Sequence, residues 1–273
     1  MKPIFDQLIV ALKFVVKYFF YYRVSPKRFE VRASSVSRVM VSVVIPTHGV
    51  LPLARRCIEN AIRHAGHERV EFIIYNNNAG DDAVKFLSRF RKDRKVRVMH
   101  SPVNTGLNAY HHAFKEAHGK YFVALDHDVI RFPEGWLSAL LHDYRRIPAV
   151  KWLAADVIGD RYTDGAKYPM WTYQRVKKDG LSLLFGAVGG WCAMTDRALY
   201  EAPGGFSHFP DQVYFLHDKY YIRKLMLKGY KIAIDERIPV YHARGLSERI
   251  MNDANFRAEF FRYVDSLDIR LKG

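Results

Sequence analysis

The 273-residue chain contains only two cysteines, Cys57 and Cys192, far apart in sequence and in no metal-binding or disulfide pattern. A disulfide scaffold and a cysteine zinc site are therefore excluded, and the scarcity is compatible with a reducing compartment. The chain also lacks a Pro- or Ser-rich tract, low-complexity sequence and internal repeats, so nothing divides it into linked modules or a solenoid. An uncharged membrane-spanning run is missing too, because Asp6, Lys13 and Lys17 interrupt the apolar stretch of residues 3–23. No small-residue cleavage site follows that stretch, so a removable signal peptide is not expected. Zinc-finger spacing, an aromatic RNA-binding signature and an arginine-rich arm are absent, which disfavours nucleic acid as a partner. Acid is scarce as well: 28 Asp plus Glu stand against 43 Lys plus Arg, a formal charge of +15. That balance suits an anionic partner: nucleic acid, a membrane surface or a phosphorylated substrate.

What is present begins with a stripe. Ile4, Phe5, Leu8, Ile9, Leu12, Val15, Val16, Phe19 and Phe20 recur at helical spacing, and Arg23, Lys27, Arg28 and Arg32 follow. An aromatic apolar face with a basic flank describes a helix lying in an anionic membrane interface. The alternative is a helix packed on its own domain or on a partner chain.

From residue 39 the pattern alternates. Strands are expected over residues 39–45, closed by Pro46, then over 70–75, 95–99 and 121–125. Helices are expected over 53–64, 82–91 and 108–117, with another opening at Trp136. This order predicts an α/β fold with a mostly parallel sheet sandwiched by helices. In such sheets ligands bind beyond the carboxyl ends of the strands, where Thr47, Asn76 and Asp126 to Asp128 fall. Residues 246–272 carry a helical stripe through Ile250, Phe256, Phe260, Phe261 and Val264, which predicts a C-terminal helical extension.

The stretch YFVALDHDVIRFPEGW, residues 121–136, places two carboxylates where an apolar strand emerges. Two hard oxygen donors one residue apart suit Mg²⁺ or Mn²⁺ together with diphosphate oxygens. Alone, an Asp-x-Asp is weak evidence, since acids at strand ends are more often solvated turns.

It is accompanied. VSVVIPTHG at 41–49, NTGLNAYHHA at 104–113, ALDHDVIRFPEGWL at 124–137, GGWCAMTDRALYEAPGGF at 189–206 and FLHDKYYIRKLMLKGYKIAIDERIPVYHARG at 215–245 resemble, in order, the motifs of family 2 glycosyltransferases of the GT-A fold. The resemblance implies that residues 39–245 form a glycosyltransferase domain, with residues 1–38 a basic amphipathic segment and 246–273 the helical extension. It places Pro46, Thr47 and His48 against the donor nucleotide. Asn76, followed by Asn77 and Asn78, stands where the family usually has a base-reading Asp; an amide can still both donate to and accept from a base edge. Asn104 and Gly106 match the loop that approaches the donor, although Asn is also a common turn or cap residue. Asp126 is similar to the ribose-contacting acid and Asp128 to the metal-binding one.

The same resemblance puts Gly189, Gly190 and Trp191 beside the donor sugar and the acceptor. Trp191 reads either as a stacking face for a sugar ring or as a core tryptophan. Asp218 falls at the general-base position of inverting transfer, next to His217, where Glu is common. His242 matches a histidine that contacts metal or diphosphate in some relatives, and Arg223, Lys224 and Arg244 are candidate phosphate partners. The expectation is an inverting transferase using Mn²⁺ or Mg²⁺, a nucleotide-sugar donor and a glycan or lipid-linked acceptor. It would be cytoplasmic, at the inner face of the membrane through residues 3–32. A polyprenyl-phosphate glycosyltransferase and a catalytically degenerate nucleotide or nucleic-acid binder are the alternatives.

Overall fold

The computed structural model describes residues 22–25, 29–32, 40–66, 69–163, 165–202, 205–206 and 217–273. The amphipathic stripe of residues 3–21 lies outside them. Among the described residues no helix is long and apolar enough to cross a membrane.

The first half follows the expected alternation. Strand β1 (Val41–Thr47) leads to helix α1 (Leu51–Arg63), β2 (Val70–Asn77) to α2 (Asp81–Leu87), and β3 (Val96–Ser101) to α3 (Asn108–Lys115). Strand β4 (Tyr121–Leu125) follows, then β5 (Val129–Arg131) and α4 (Trp136–Arg146). Strands β1 and β4 are apolar along nearly their whole length because helices or other strands cover both faces. Pro52 in the first turn of α1 costs no hydrogen bond, since that N–H has no helical partner.

The second half is more varied. It comprises β6 (Val150–Val157), β7 (Gln174–Lys178), β8 (Leu181–Phe185), β9 (Cys192–Asp196), α5 (Arg197–Glu201), α6 (His217–Leu227) and β10 (Lys231–His242). Helices α7 (Ser247–Asn252) and α8 (Ala254–Ser266) complete the chain. The sheet order is β3-β2-β1-β4-β9-β6-β10-β8-β7, with β5 paired to the end of β10. Strands β3, β2, β1 and β4 are mutually parallel. Strand β9 enters antiparallel between β4 and β6, and β10 runs parallel to β6. The β7–β8 hairpin turns on Asp179 and Gly180, whose φ values of 49° and 76° suit a tight two-residue turn.

The C-terminal helices bury Ile250, Phe256, Phe260 and Val264 against Leu53 of α1, Ile130 of β5 and Tyr241 of β10. Each such buried side chain contributes roughly 2 kcal/mol. Asp253 caps α8 by accepting from Phe256 N at 2.9 Å. The extension thus fixes the end of β10, on which His242 sits.

Candidate active site

The ends of β1, β2, β3 and β4 form one rim. Thr47 and Asn76 are register partners on adjacent strands, and both are buried. Asn76 does not offer a free amide: its Oδ1 accepts from Ala79 N at 3.0 Å, and its Nδ2 donates to His100 Nδ1 at 3.0 Å. Asn77 ties the rim together. Its Nδ2 donates to Asn104 Oδ1 at 2.9 Å and to Gly106 O at 3.1 Å, while its Oδ1 accepts from Thr105 N at 2.7 Å. Asn104 Oδ1 also accepts from Gly106 N at 2.8 Å, a local turn that Gly106 accommodates at φ 57°. His48 closes the circuit, donating from Nδ1 to Asn77 O at 2.9 Å and accepting from Asn104 Nδ2 at 3.1 Å. Those partners require a neutral imidazole with its proton on Nδ1. His48, Asn104 and Gly106, separated in sequence, therefore form one unit with Asn77, while Pro46, Thr47 and Asn76 line the adjoining strand ends.

The acids lie next along the rim. Asp126 N donates to Trp191 O at 2.9 Å, and Ala243 N donates to Asp128 O at 2.8 Å. The loop after β4 is thereby pinned between the start of β9 and the end of β10. His242 Nε2 lies 3.0 Å from Asp128 Oδ1, and Tyr110 on α3 donates to Asp126 Oδ1 at 2.7 Å. One ligand atom from each of Asp126, Asp128 and His242 falls within 4.8 Å of the others. Burial first, and the neighbouring Asp128 charge second, push the Asp126 carboxyl above its ordinary value. Burial also acts to raise Asp128, but the His242 hydrogen bond and charge win, and its value is lowered. His242 mirrors this: burial acts to lower it, and the bond and charge of Asp128 raise it. His242 Nδ1 is buried with no hydrogen-bond partner. Two carboxylates supply the hard oxygens that Mn²⁺ or Mg²⁺ takes, and the His242 ring, whose Nδ1 lacks a partner, adds a nitrogen donor, so these three residues fit a divalent cation.

His217 and Asp218 open α6. Asp218 Oδ1 accepts from Lys219 N at 2.8 Å, and its charge reaches Asp126. A Cβ on Gly190 would stand 3.5 Å from Asp218 Cβ, so the absence of a side chain there keeps the space beside Asp218 open. Trp191 is a core residue: it is 4% exposed and its Nε1 donates to Ala155 O at 2.9 Å, leaving no open ring face for a sugar. Gly189 O accepts from Trp152 Nε1 at 3.1 Å. Arg244 follows His242 at the strand end and is exposed, as is Arg223 on α6, whereas Lys224 is half-buried. Tyr110 and the bridging role of Asn77 are not apparent in the sequence, because both depend on contacts between separate elements. Cys57 joins them, its Sγ donating to Asp126 O at 3.5 Å.

A mixed sheet whose parallel half ends in a polar rim, with a carboxylate pair after the fourth strand, is the arrangement expected from the resemblance to the GT-A fold. The profile of glycosyl transferase family 2 matches residues 42–202, and the chain belongs to that family. The fold is similar to that of a mannosyltransferase, PcManGT of Pyrobaculum calidifontis, solved with GDP-Man and Mn²⁺ (TM-score 0.58, 18% identity, 96% of this chain and 76% of that one). It is also similar to GalNAc-T7, solved with UDP, GalNAc and Mn²⁺ (TM-score 0.57, 15% identity, 75% of this chain and 43% of that one). Likeness at these identities carries the fold. In sequence, the chain is 22% identical over 264 residues to the uncharacterised protein y4gI of Sinorhizobium fredii, covering 85% of this chain but 28% of that relative's length.

Proposed function

We propose that the chain is an inverting transferase that moves a sugar from a nucleoside-diphosphate donor to a hydroxyl of a glycan or lipid-linked glycan. The observation that carries this reading is the convergence of Asp126, Asp128 and His242 within 4.8 Å at the strand-end rim, with Asp218 in electrostatic reach. Thr47, His48, Asn76, Asn104 and Gly106 form the donor side, and the Asn77 network holds that wall in one conformation before ligand arrives. Bound Mn²⁺ or Mg²⁺ would be held by Asp128 and His242, with Asp126 beside them, and would neutralise charge on the leaving diphosphate. The Asp218 carboxylate takes the proton of the acceptor hydroxyl as that oxygen attacks the anomeric carbon. The bond from that carbon to the diphosphate oxygen breaks, and its electron pair leaves with the nucleoside diphosphate. Gly190 leaves room for the acceptor beside Asp218. The nucleotide and Mn²⁺ in the mannosyltransferase and GalNAc-T7 structures support this donor class. The basic, apolar segment of residues 3–32 supports an acceptor handled at the cytoplasmic face of a membrane.

Thermal melting tests the reading. UDP, GDP, dTDP and CDP, each with and without Mn²⁺, are added to the protein and to Asp128→Ala. A ligand that binds the native state raises the melting temperature by mass action. One nucleotide should stabilise the protein only with metal, and Asp128→Ala should abolish that response. No response to any of the four overturns the reading.

A further inference from the structure

We propose that the loop of residues 168–171 is a membrane-contact wedge, seated in an anionic lipid interface. The loop carries three large side chains that the fold does not bury: Tyr168 is 53% exposed, Met170 46% and Trp171 75%. Single exposed apolar residues are ordinary, but three within four positions make a patch. Its base is fixed. Thr172 Oγ1 donates to Pro169 O at 2.8 Å, and the Tyr173 hydroxyl donates to Ala187 O at 2.8 Å while accepting from Tyr168 N at 3.2 Å. Thr172 and Tyr173 are both buried.

The N-terminal segment reaches the same place. Gln174, the first residue of edge strand β7, holds the Val24 backbone from both sides, accepting from its N and donating to its O, each at 2.7 Å. Phe29 packs edge-on against Phe185 at 5.2 Å, and Arg32 N donates to Arg146 O at 2.8 Å. Tyr22 lies within electrostatic reach of Tyr168 and Tyr173. Tyr22 and Val24, which in sequence follow the apolar stripe with Lys13 and Lys17, therefore lie next to this patch. Arg23 is exposed beside the clamp, and Lys177 is exposed next to buried Val176, whereas the Arg175 guanidinium is engaged by both oxygens of Glu236 at 2.9 and 2.8 Å. Tyr and Trp rings, with an apolar body and a polar edge, suit the headgroup boundary, and flanking cations suit anionic lipid. That charge complementarity favours a bilayer over a protein partner.

The inference deepens the membrane-surface part of the functional reading and stands apart from sugar transfer. Of the four tryptophans, Trp136, Trp152 and Trp191 are buried, so acrylamide-accessible emission reports Trp171. Equimolar phosphatidylglycerol–phosphatidylcholine vesicles added to the full chain should shift that emission to the blue and shield it from acrylamide. Lipids with brominated acyl chains should quench it, and phosphatidylcholine vesicles alone should do far less. The pair Trp171→Ala and Met170→Ala should weaken vesicle partitioning about tenfold while keeping the melting response to nucleotide and Mn²⁺. Vesicle binding that leaves Trp171 open to acrylamide sinks the wedge but spares the N-terminal membrane segment, and no vesicle binding sinks both. Emission that follows protein concentration instead of lipid assigns the patch to contact between copies, which also overturns it. The nucleotide melting response on the same samples reports separately on the transferase reading.

Discussion

Asp126 with Asp128, and Asp143 with Asp235, are two carboxylate pairs drawn together by one sheet, and their surroundings send them different ways. The second pair is closed. Asp143 on α4 and Asp235 on β10 are both fully buried. Arg237 donates from one guanidinium nitrogen to the two oxygens of Asp143 at 3.2 and 3.0 Å, His142 Nδ1 lies 2.9 Å from Asp143 Oδ1, and Arg146 is 3.8 Å away. Asp235 Oδ1 accepts from Arg237 N at 3.0 Å, whereas its Oδ2 has no donor. A proton on that oxygen, shared toward Asp143, satisfies both carboxyl groups at once. At the rim the acids face Tyr110 and His242 instead, and the lone pairs left over can serve a cation. An acid pair fully buried and closed by a guanidinium, an imidazole and its own proton is framework, and one whose remaining lone pairs face the rim is available for chemistry.

The largest effect expected on the rim side comes from Asp218. Asp218→Asn should lower kcat by about 10²- to 10⁴-fold, the usual worth of a positioned general base. It should leave Mn²⁺-dependent stabilisation by nucleotide in place. A mild loss would point to an acceptor, such as a phosphate, that needs no base. On the framework side, Arg237→Leu strips the guanidinium from buried Asp143 and should cost about 3 kcal/mol in denaturant unfolding. An unchanged midpoint would mean that the two acids do not depend on Arg237.

The comparison sharpens with pH. Burial, then the Asp143 charge and the hydrogen bond to it, raise the Asp235 carboxyl well above its ordinary 3.8. For an acid raised in the folded state, the native protein holds a proton that the unfolded chain has released. Stability from this group is therefore lost as pH climbs from about 3.8 toward the raised value. Asp235→Asn keeps a neutral donor toward Asp143 and removes the proton. Relative to wild type the variant should gain stability as pH rises through that window, by no more than about 1.4 kcal/mol per pH unit. A difference that is flat with pH would refute the shared proton.

The two halves of the sheet also differ in how much the sequence disclosed. Over residues 41–125 strands and helices alternate, with β1, β2 and β4 buried and edge strand β3 half-buried, so periodicity and the rim acids could be read together. Small departures occur where helix geometry tightens, as when α2 stops at Leu87 and a 3-10 turn, Ser88–Phe90, continues it. The second half was less legible. Strand β10 runs from Lys231 to His242 through a stretch that is not uniformly apolar. The charges of Asp235, Glu236 and Arg237 interrupt the apolar pattern, and the pairing with β6 shifts register between Asp235 and Pro239 to accommodate them. The β7–β8 hairpin did carry a local signal, Asp179–Gly180, but β9 lies antiparallel between strands distant in sequence, which no local pattern encodes. At the site, Asp126, Asp128 and His242 could be named from sequence, since acids and imidazole stand out. Trp191 could not be resolved between sugar face and core until its burial was seen.

Tyr110 is the feature that only the fold reveals, and it gives the smallest effect of the series. Its ring is buried, edge-on to Phe206 at 5.7 Å and stacked near Phe114, so Tyr110→Phe preserves the packing. What it removes is the single bond to Asp126 Oδ1. Partners that orient acids around a metal are typically worth about tenfold in affinity. Tyr110→Phe should therefore weaken Mn²⁺-dependent nucleotide binding by about that factor in calorimetry, while the ligand-free melting temperature stays close to wild type. The opposite pattern, a lower ligand-free melting temperature with unchanged affinity, would move Tyr110 from the rim to the framework. The rim acids would then be held by His242 and the backbone alone, as Asp143 is held by Arg237.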